Sequence, residues 1–154
     1  MPLRDAGALH LIFQLGEERY ALEAREVIEV LPLQRLRAVP EAPPGLAGLL
    51  MRGGRSVPVL DLNQRACGRP ALARSSTRLV LVACQSRPVG LLLEHATRTT
   101  RLRDAAFTPT GLASAAAAPW LGGIAPQAGF GPVQRIRVDG LLPPELQALI
   151  ERTA

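Results

Sequence analysis

Lysine is absent from the 154-residue sequence, and all 18 basic residues are arginine. Against 13 acidic residues they leave a formal charge of +5, which raises nucleic acid as a partner. The arginines are spread along the chain, densest at 98–103 (RTTRLR), and form no clustered basic stripe. Arginine without lysine, beside so many Ala, Gly and Pro, reads as a GC-rich coding bias and argues against selection for phosphate contact. Aromatic residues are scarce too: three Phe, one Tyr and one Trp leave the core to Leu, Val, Ile and Ala. The two cysteines, Cys67 and Cys84, have neither CxxC spacing nor a histidine at metal-ligand distance, so the pattern is not that of a metal site. A disulfide between them stays open, although Cys84 within RLVLVAC reads as a small buried apolar residue. No apolar run is long enough for a membrane span, and MPLRDAGALHLIF is too short for a secretory segment. A reducing cytoplasm is the expected location.

What is present is a folding composition, 47% hydrophobic and 20% charged, of a length for one domain or two small lobes. Residues 9–15 and 20–24 flank the polar turn GEER and read as a hairpin. Strands are expected at 56–62, 76–84 and 89–96, with turns at Gly53-Gly54 and QSRP (85–88). REVIEVLPL (25–33) fits a helical turn or an extended run equally well, and 36–48, with Pro40, Pro43, Pro44 and Gly45, reads as a structured loop. PPELQALIER (143–152) places Leu146, Leu149 and Ile150 on one helical face. Residues 104–132 stay open, and SAAAAPW there fits either a helix stopped by Pro119 or a loop. Short strands separated by regular turns indicate a small all-β barrel or sandwich.

Catalytic patterns are missing. His10 and His95 are far apart, Asp61, Glu94 and Asp139 each stand isolated at a strand end, and Glu17-Glu18 belongs to a turn. No nucleophile, base and orienting carboxylate fall into register. GGIAPQAGFG (122–131) lacks the spacing and ending of a phosphate loop, and Gly53-Gly54 leads into a strand rather than a helix. Pro58 has no N–H, so its strand position is expected to face away from a ladder partner, at an edge or bulge. PEAPPG (40–45) lies between ordered strands, which favours a loop over a peptide ligand. These readings converge on a binding module with no catalytic constellation and no metal site.

The order of segments then becomes specific. LIFQLGEERYALEAREVIEV (11–30) carries Gly16, Tyr20, Ala21-Leu22, Val27, Glu29 and Val30; Pro40 precedes a second block with Gly48, Gly54, Pro58, Asp61 and Leu62. TRLVLVACQSRPVGLLLEHATRTTRL (77–102), WLGGIA (120–125) and VQRIRVDGLLP (133–143) follow. In this order the chain resembles the CheW-like family, the coupling proteins of bacterial chemosensory arrays, over residues 9–143. It departs where the family has Asn and Arg before the turn glycine: here stand Met51 and Gly53, with Arg52 shifted by one place. The acidic residue after Val-Gly-Leu-Leu is Glu94 rather than Asp.

The resemblance implies a mainly all-β fold of two intertwined SH3-like five-stranded β-barrels sharing a core, residues 9–143, followed by a short C-terminal helix and tail (144–154). It implies a cytoplasmic, non-enzymatic adaptor, associated with membrane-bound receptor arrays but not inserted, that binds a chemoreceptor's cytoplasmic tip and a CheA-type histidine kinase regulatory domain. No cofactor or small-molecule substrate is implied. Val27, Glu29, Met51, Arg52 and Gly53 would face the receptor, and Arg87, Val89, Gly90 and Leu91 the kinase. The departures favour a specialised, non-flagellar system, surface-sensing or pilus-related. A basic SH3-like nucleic-acid-binding module is the alternative, and a regulatory domain of a larger kinase a further one.

Overall fold

The computed structural model describes residues 7–109, 118–126, 129 and 131–153. β1 (Ala8–Leu15) and β2 (Glu18–Glu23) form the first hairpin, and a single 3-10 turn at Ala24–Glu26 leads into β3 (Val27–Pro32). β4 (Leu46–Arg52) and β5 (Arg55–Asp61) form the second hairpin. Then follow α1 (Leu62–Cys67), β6 (Arg78–Cys84), β7 (Arg87–Leu102), β8 (Leu121–Ala125), β9 (Val133–Ile136) and α2 (Pro144–Thr153).

The organisation turns on β7, whose 16 residues serve two sheets. Its first part pairs with β6 and β5, its second with β1. At the crossing the register against β1 slips, and His95 takes φ 54, a left-handed conformation that marks a sharp change of direction. Barrel 1 runs β3-β6-β7-β5-β4 and is closed by the bridge Arg37–Leu49; barrel 2 runs β7-β1-β2-β9-β8 and is closed by Thr108–Ile124. These are the two five-stranded, SH3-like barrels. Each contains one parallel step, β5 beside β7 and β2 beside β9. Hairpin β1–β2 from the first half of the chain completes barrel 2, while hairpin β6–β7 from the second half completes barrel 1. The barrels are intertwined because each half lends the other its first hairpin.

This exchange explains the near-continuous apolar strands. Successive side chains point to opposite faces, so a strand between a barrel interior and a second core is apolar on both. Ile12 of β1 faces the interior of barrel 2 with Ala21, Leu102, Val133 and Phe107. Its neighbours Leu11, Phe13 and Leu15 face the shared core, meeting Leu60, Val80, Val82, Leu91 and Trp120. Barrel 1 is filled by Leu31, Leu50, Val57, Val59, Leu79 and Leu81. Each such aliphatic side chain contributes roughly 1.5–3 kcal/mol when fully buried.

REVIEVLPL resolves into the 3-10 turn followed by β3. The loop expected at 36–48 ends early, because Leu46–Arg52 is already strand, and β7 runs past the expected 89–96 in both directions. Pro58 lies one residue before β5 begins pairing with β7 at Val59, where β4 is its only ladder neighbour. Helix α1 has no apolar period to announce it. It is defined by its ends: Asp61 Oδ1 accepts from Gln64 N at 3.1 Å, and Gly68, at φ 74, donates its N–H to the Gln64 carbonyl. Arg65 on α1 lies over the Trp120 ring and donates to the Leu141 carbonyl at 2.7 Å, tying the helix to barrel 2. Helix α2 buries Leu146 in the shared core, as its pattern predicts. The choice between helix and loop for SAAAAPW rests on 114–117, outside the described residues.

Candidate partner-binding site

Strand β3 ends the order of its sheet, with β6 on one side and, among the described residues, no ladder partner on the other. Across that open edge lies the β4–β5 hairpin, whose turn Gly53-Gly54 takes φ 57 and 78, both positive as a type I′ turn requires. Arg52 Nη2 donates to Glu29 Oε1, joining β4 to β3 through an ion pair whose two side chains are each about two fifths exposed. At that exposure the pair contributes at most about 1 kcal/mol to stability, so it serves more to orient the two groups than to hold the fold. The same strands carry exposed apolar side chains, Ile28 at 56%, Val30 at 46% and Met51 at 58%. Val30 and Met51 alternate with Glu29 and Arg52 and so lie on the outer face. Exposed apolar positions on two strands joined by an oriented ion pair have the composition of a binding surface.

Among the sequence-predicted receptor residues, Glu29 and Arg52 are thus brought together, with Met51 and Gly53 beside Arg52 along the hairpin. Val27 is half-buried and packs against the shared core, pairing with Val82. The outward apolar positions of β3 are Ile28 and Val30, which the sequence reading did not single out. Alternation finds Val30, which faces opposite to buried Leu31, while Ile28 is the exposed residue at the register shift between Val27 and Glu29.

The predicted kinase residues are distributed differently. Val89 and Leu91 are fully buried in the shared core. A side chain on Gly90 would meet Val59 Cγ2 at 2.9 Å and Leu79 Cδ2 at 3.2 Å, so its backbone is packed inside barrel 1. Only Arg87 of the four presents its side chain at the surface, next to the exposed turn Gln85-Ser86. Gln85 fixes that turn by donating to the Asp139 carbonyl at 3.2 Å and accepting from Gln147 of α2 at 3.0 Å.

The remaining polar candidates are architectural. Asp61 Oδ2 accepts from Ala71 N at 2.8 Å, and Glu94 accepts from Leu72 N at 3.2 Å and Arg74 Nε at 2.8 Å. Two carboxylates that stand isolated in the sequence therefore hold one loop. Asn63 joins them, accepting from Gly16 N and donating to the Arg69 carbonyl, each at 2.8 Å. Both cysteines are free thiols. Cys84 is fully buried, donates to the Val138 carbonyl at 3.1 Å, and has its pKa pushed up by burial. Among the described residues, no helix is long and apolar enough to cross a membrane.

A family model described as the CheW-like domain matches residues 9–144. The chemotaxis protein CheW of Treponema pallidum is 26% identical over 102 residues, which cover 64% of this chain and 60% of that protein. The probable chemotaxis protein CheW of Rhizobium etli is 22% identical over 100 residues, 65% of this chain and 64% of that one. The chain therefore spans less than two thirds of the length of either curated relative. The crystal structure of the scaffolding protein TtCheW from Thermoanaerobacter tengcongensis superposes with a TM-score of 0.78 at 22% identity, covering 91% of this chain and 90% of that one. That likeness concerns the fold, and it extends to both barrels. With the family model spanning nearly all of both barrels, the chain belongs to the CheW-like domain family.

Proposed function

We propose that this chain is a non-enzymatic adaptor that couples the cytoplasmic tip of a chemoreceptor to the regulatory domain of a CheA-type histidine kinase. It works in the cytoplasm, in a chemosensory array of a non-flagellar, surface-sensing or pilus-related kind. The observation that carries the reading is the exposed apolar positions Ile28, Val30 and Met51 on the same two strands that the Glu29–Arg52 pair joins, on a chain of this family. The apolar side chains supply contact area, and the ion pair offers charges that set orientation and partner choice. Met51 and Gly53 replace the family's usual Asn and Arg, and Arg52 reaches Glu29 from its shifted position. This altered surface supports a specialised receptor partner.

The kinase contact is assigned to Arg87 and the Gln85-Ser86 turn of hairpin β6–β7, in the middle of the strand order that β3 and β4 end, with Val89, Gly90 and Leu91 shaping the hairpin from inside. Two separate surfaces of moderate strength suffice for an array, because linked binding events raise the effective concentration of each partner.

Capture assays with the receptor tips and kinase regulatory domains of the same genome test this. Ile28→Arg and Met51→Arg are expected to lower receptor capture at least about tenfold, the effect of about 1.4 kcal/mol, while kinase capture stays within about twofold. Val27→Arg instead probes the half-buried position and is expected to lower stability as well. Capture of no receptor and no kinase, with nucleic-acid binding that weakens steeply as salt rises, would overturn the adaptor reading.

A further inference from the structure

The two barrels share one plan but are filled differently. Counted from the turn, the rung His10–Glu23 of hairpin β1–β2 matches the rung Leu79–Leu92 of hairpin β6–β7. On the parallel neighbour, Arg135 beside Ala21 stands where Val59 stands beside Gly90. Positions that are Leu, Leu and Val in barrel 1 are therefore His, Glu and Arg in barrel 2.

His10 is fully buried. Its Nδ1 lies 2.8 Å from the Ala8 carbonyl, so that nitrogen carries the proton and Nε2 is left as a bare acceptor. Among the described residues neither His10 Nε2 nor Arg135 Nε has a hydrogen-bond partner, although both atoms are buried. Phe107 links the two side chains, its ring centroid 5.7 Å from that of His10 and 3.9 Å from the Arg135 guanidinium. The charged groups around the imidazole come from three directions: Glu23 on β2, Arg135 on β9, and Asp104 in the turn after β7. Both carboxylates are engaged, Glu23 with Arg25 at 2.5 Å and Asp104 with Arg135 at 2.8 Å.

We propose that barrel 2 is a pH-responsive half of the molecule: protonation of His10 sets a second cation against Arg135 and Phe107 in a closed interior and releases the 104–108 segment that closes the barrel, while barrel 1 stays shut. Burial, the largest influence, pulls the imidazole below its ordinary 6.5, and the Ala8 carbonyl opposes this. The fold thus favours neutral His10. Its contribution is complete above the unfolded pKa and is lost as pH falls through and below that value. The proposal is independent of the partner surfaces on barrel 1.

The closing bridges provide matched reporters. Thr108 and Ile124 exchange N–H···O bonds of 2.8 and 2.9 Å in barrel 2, and Arg37 and Leu49 exchange bonds of the same lengths in barrel 1. Hydrogen exchange on the full chain, corrected for intrinsic rates, is compared at about pH 7.5 and about pH 5.5, either side of the ordinary imidazole range. The Thr108 and Ile124 amides are expected to lose protection several-fold on acidification while Arg37 and Leu49 keep theirs, and His10→Leu, which installs the barrel 1 residue, abolishes the difference. Equal loss at the two bridges, or a loss at Thr108 and Ile124 that persists in His10→Leu, overturns the proposal. If His10→Leu does not fold, His10→Gln replaces it under the same criteria, and an NMR titration of the wild-type imidazole decides independently. A His10 midpoint below 6.5 supports the proposal and one at or above 6.5 overturns it.

Discussion

Asp61 and Glu94 are both buried, and their carboxylates accept from the backbone of one stretch, Ala71 and Leu72, with Arg74 closing the set. Thr77 locks the same loop by donating to the Leu72 carbonyl at 2.6 Å and accepting from Arg74 N at 3.1 Å. Arg74 is nearly half exposed, so its ion pair adds little, and the larger part of Glu94's role is the Leu72 N–H it satisfies. Glu94→Ala is therefore expected to destabilise the fold by about 1.5–3 kcal/mol, the usual contribution of a hydrogen bond to a charged acceptor. Urea denaturation measures it, and a loss of only a few tenths would contradict the role. The sequence could not show this pairing, because backbone N–H groups of a loop carry no residue signature. Val27 was hard to read for the opposite reason. Val27, Ile28 and Val30 are chemically alike, and only the register against β6 separates the half-buried Val27 from its exposed neighbours.

The hairpin turns separate what sequence reveals from what it conceals at the level of elements. Gly53-Gly54 declares itself: glycine reaches positive φ freely, and the turn joins β4 to β5. Gln85 and Ser86 adopt the same left-handed region, at φ 51 and 66, without that freedom. A side chain there costs roughly 1–2 kcal/mol relative to glycine. Gln85 offsets part of this through its bonds to Asp139 and Gln147, whereas Ser86→Gly is expected to stabilise the protein by about 1 kcal/mol. A thermal or chemical melt reads the gain, and a loss of stability would show that the Ser86 side chain has a role the turn geometry does not contain. Strands β1, β5, β6 and the start of β7 were legible because their apolar runs are long. The early part of β4 was not, since its Gly48 and the preceding prolines signal a loop, and α1 was missed because six residues cannot show a period. The spacing from Asp61 to Gly68 was its one readable sign, a cap at each end.

At the scale of the molecule, the architecture is non-local in a way that no window of sequence displays. The halves follow one plan, yet matched positions carry His10 and Leu79, Glu23 and Leu92, Arg135 and Val59, so the repeat is visible in the pairing and not in the residues. The two-barrel expectation came from the order of family motifs, and the shared β7 and the exchanged hairpins are its physical content. A consequence concerns folding. A chain cut after residue 73 separates β1–β5 from β6–β9, leaving the first piece with three strands of barrel 1 and only a hairpin of barrel 2. The second piece holds β8 and β9 without the β2 that pairs with β9, and β6 without the β3 that flanks it. Neither piece can close a barrel or bury the shared core, and short unpaired sheets are marginal in water. Each fragment is therefore expected to be unfolded alone, and an equimolar mixture to regain strand circular dichroism together with burial of Trp120, which lies in the shared core. Native-like Trp120 fluorescence in the second fragment by itself would mean that a half-chain folds independently, and that the exchanged hairpins do not bind the two halves into one cooperative unit.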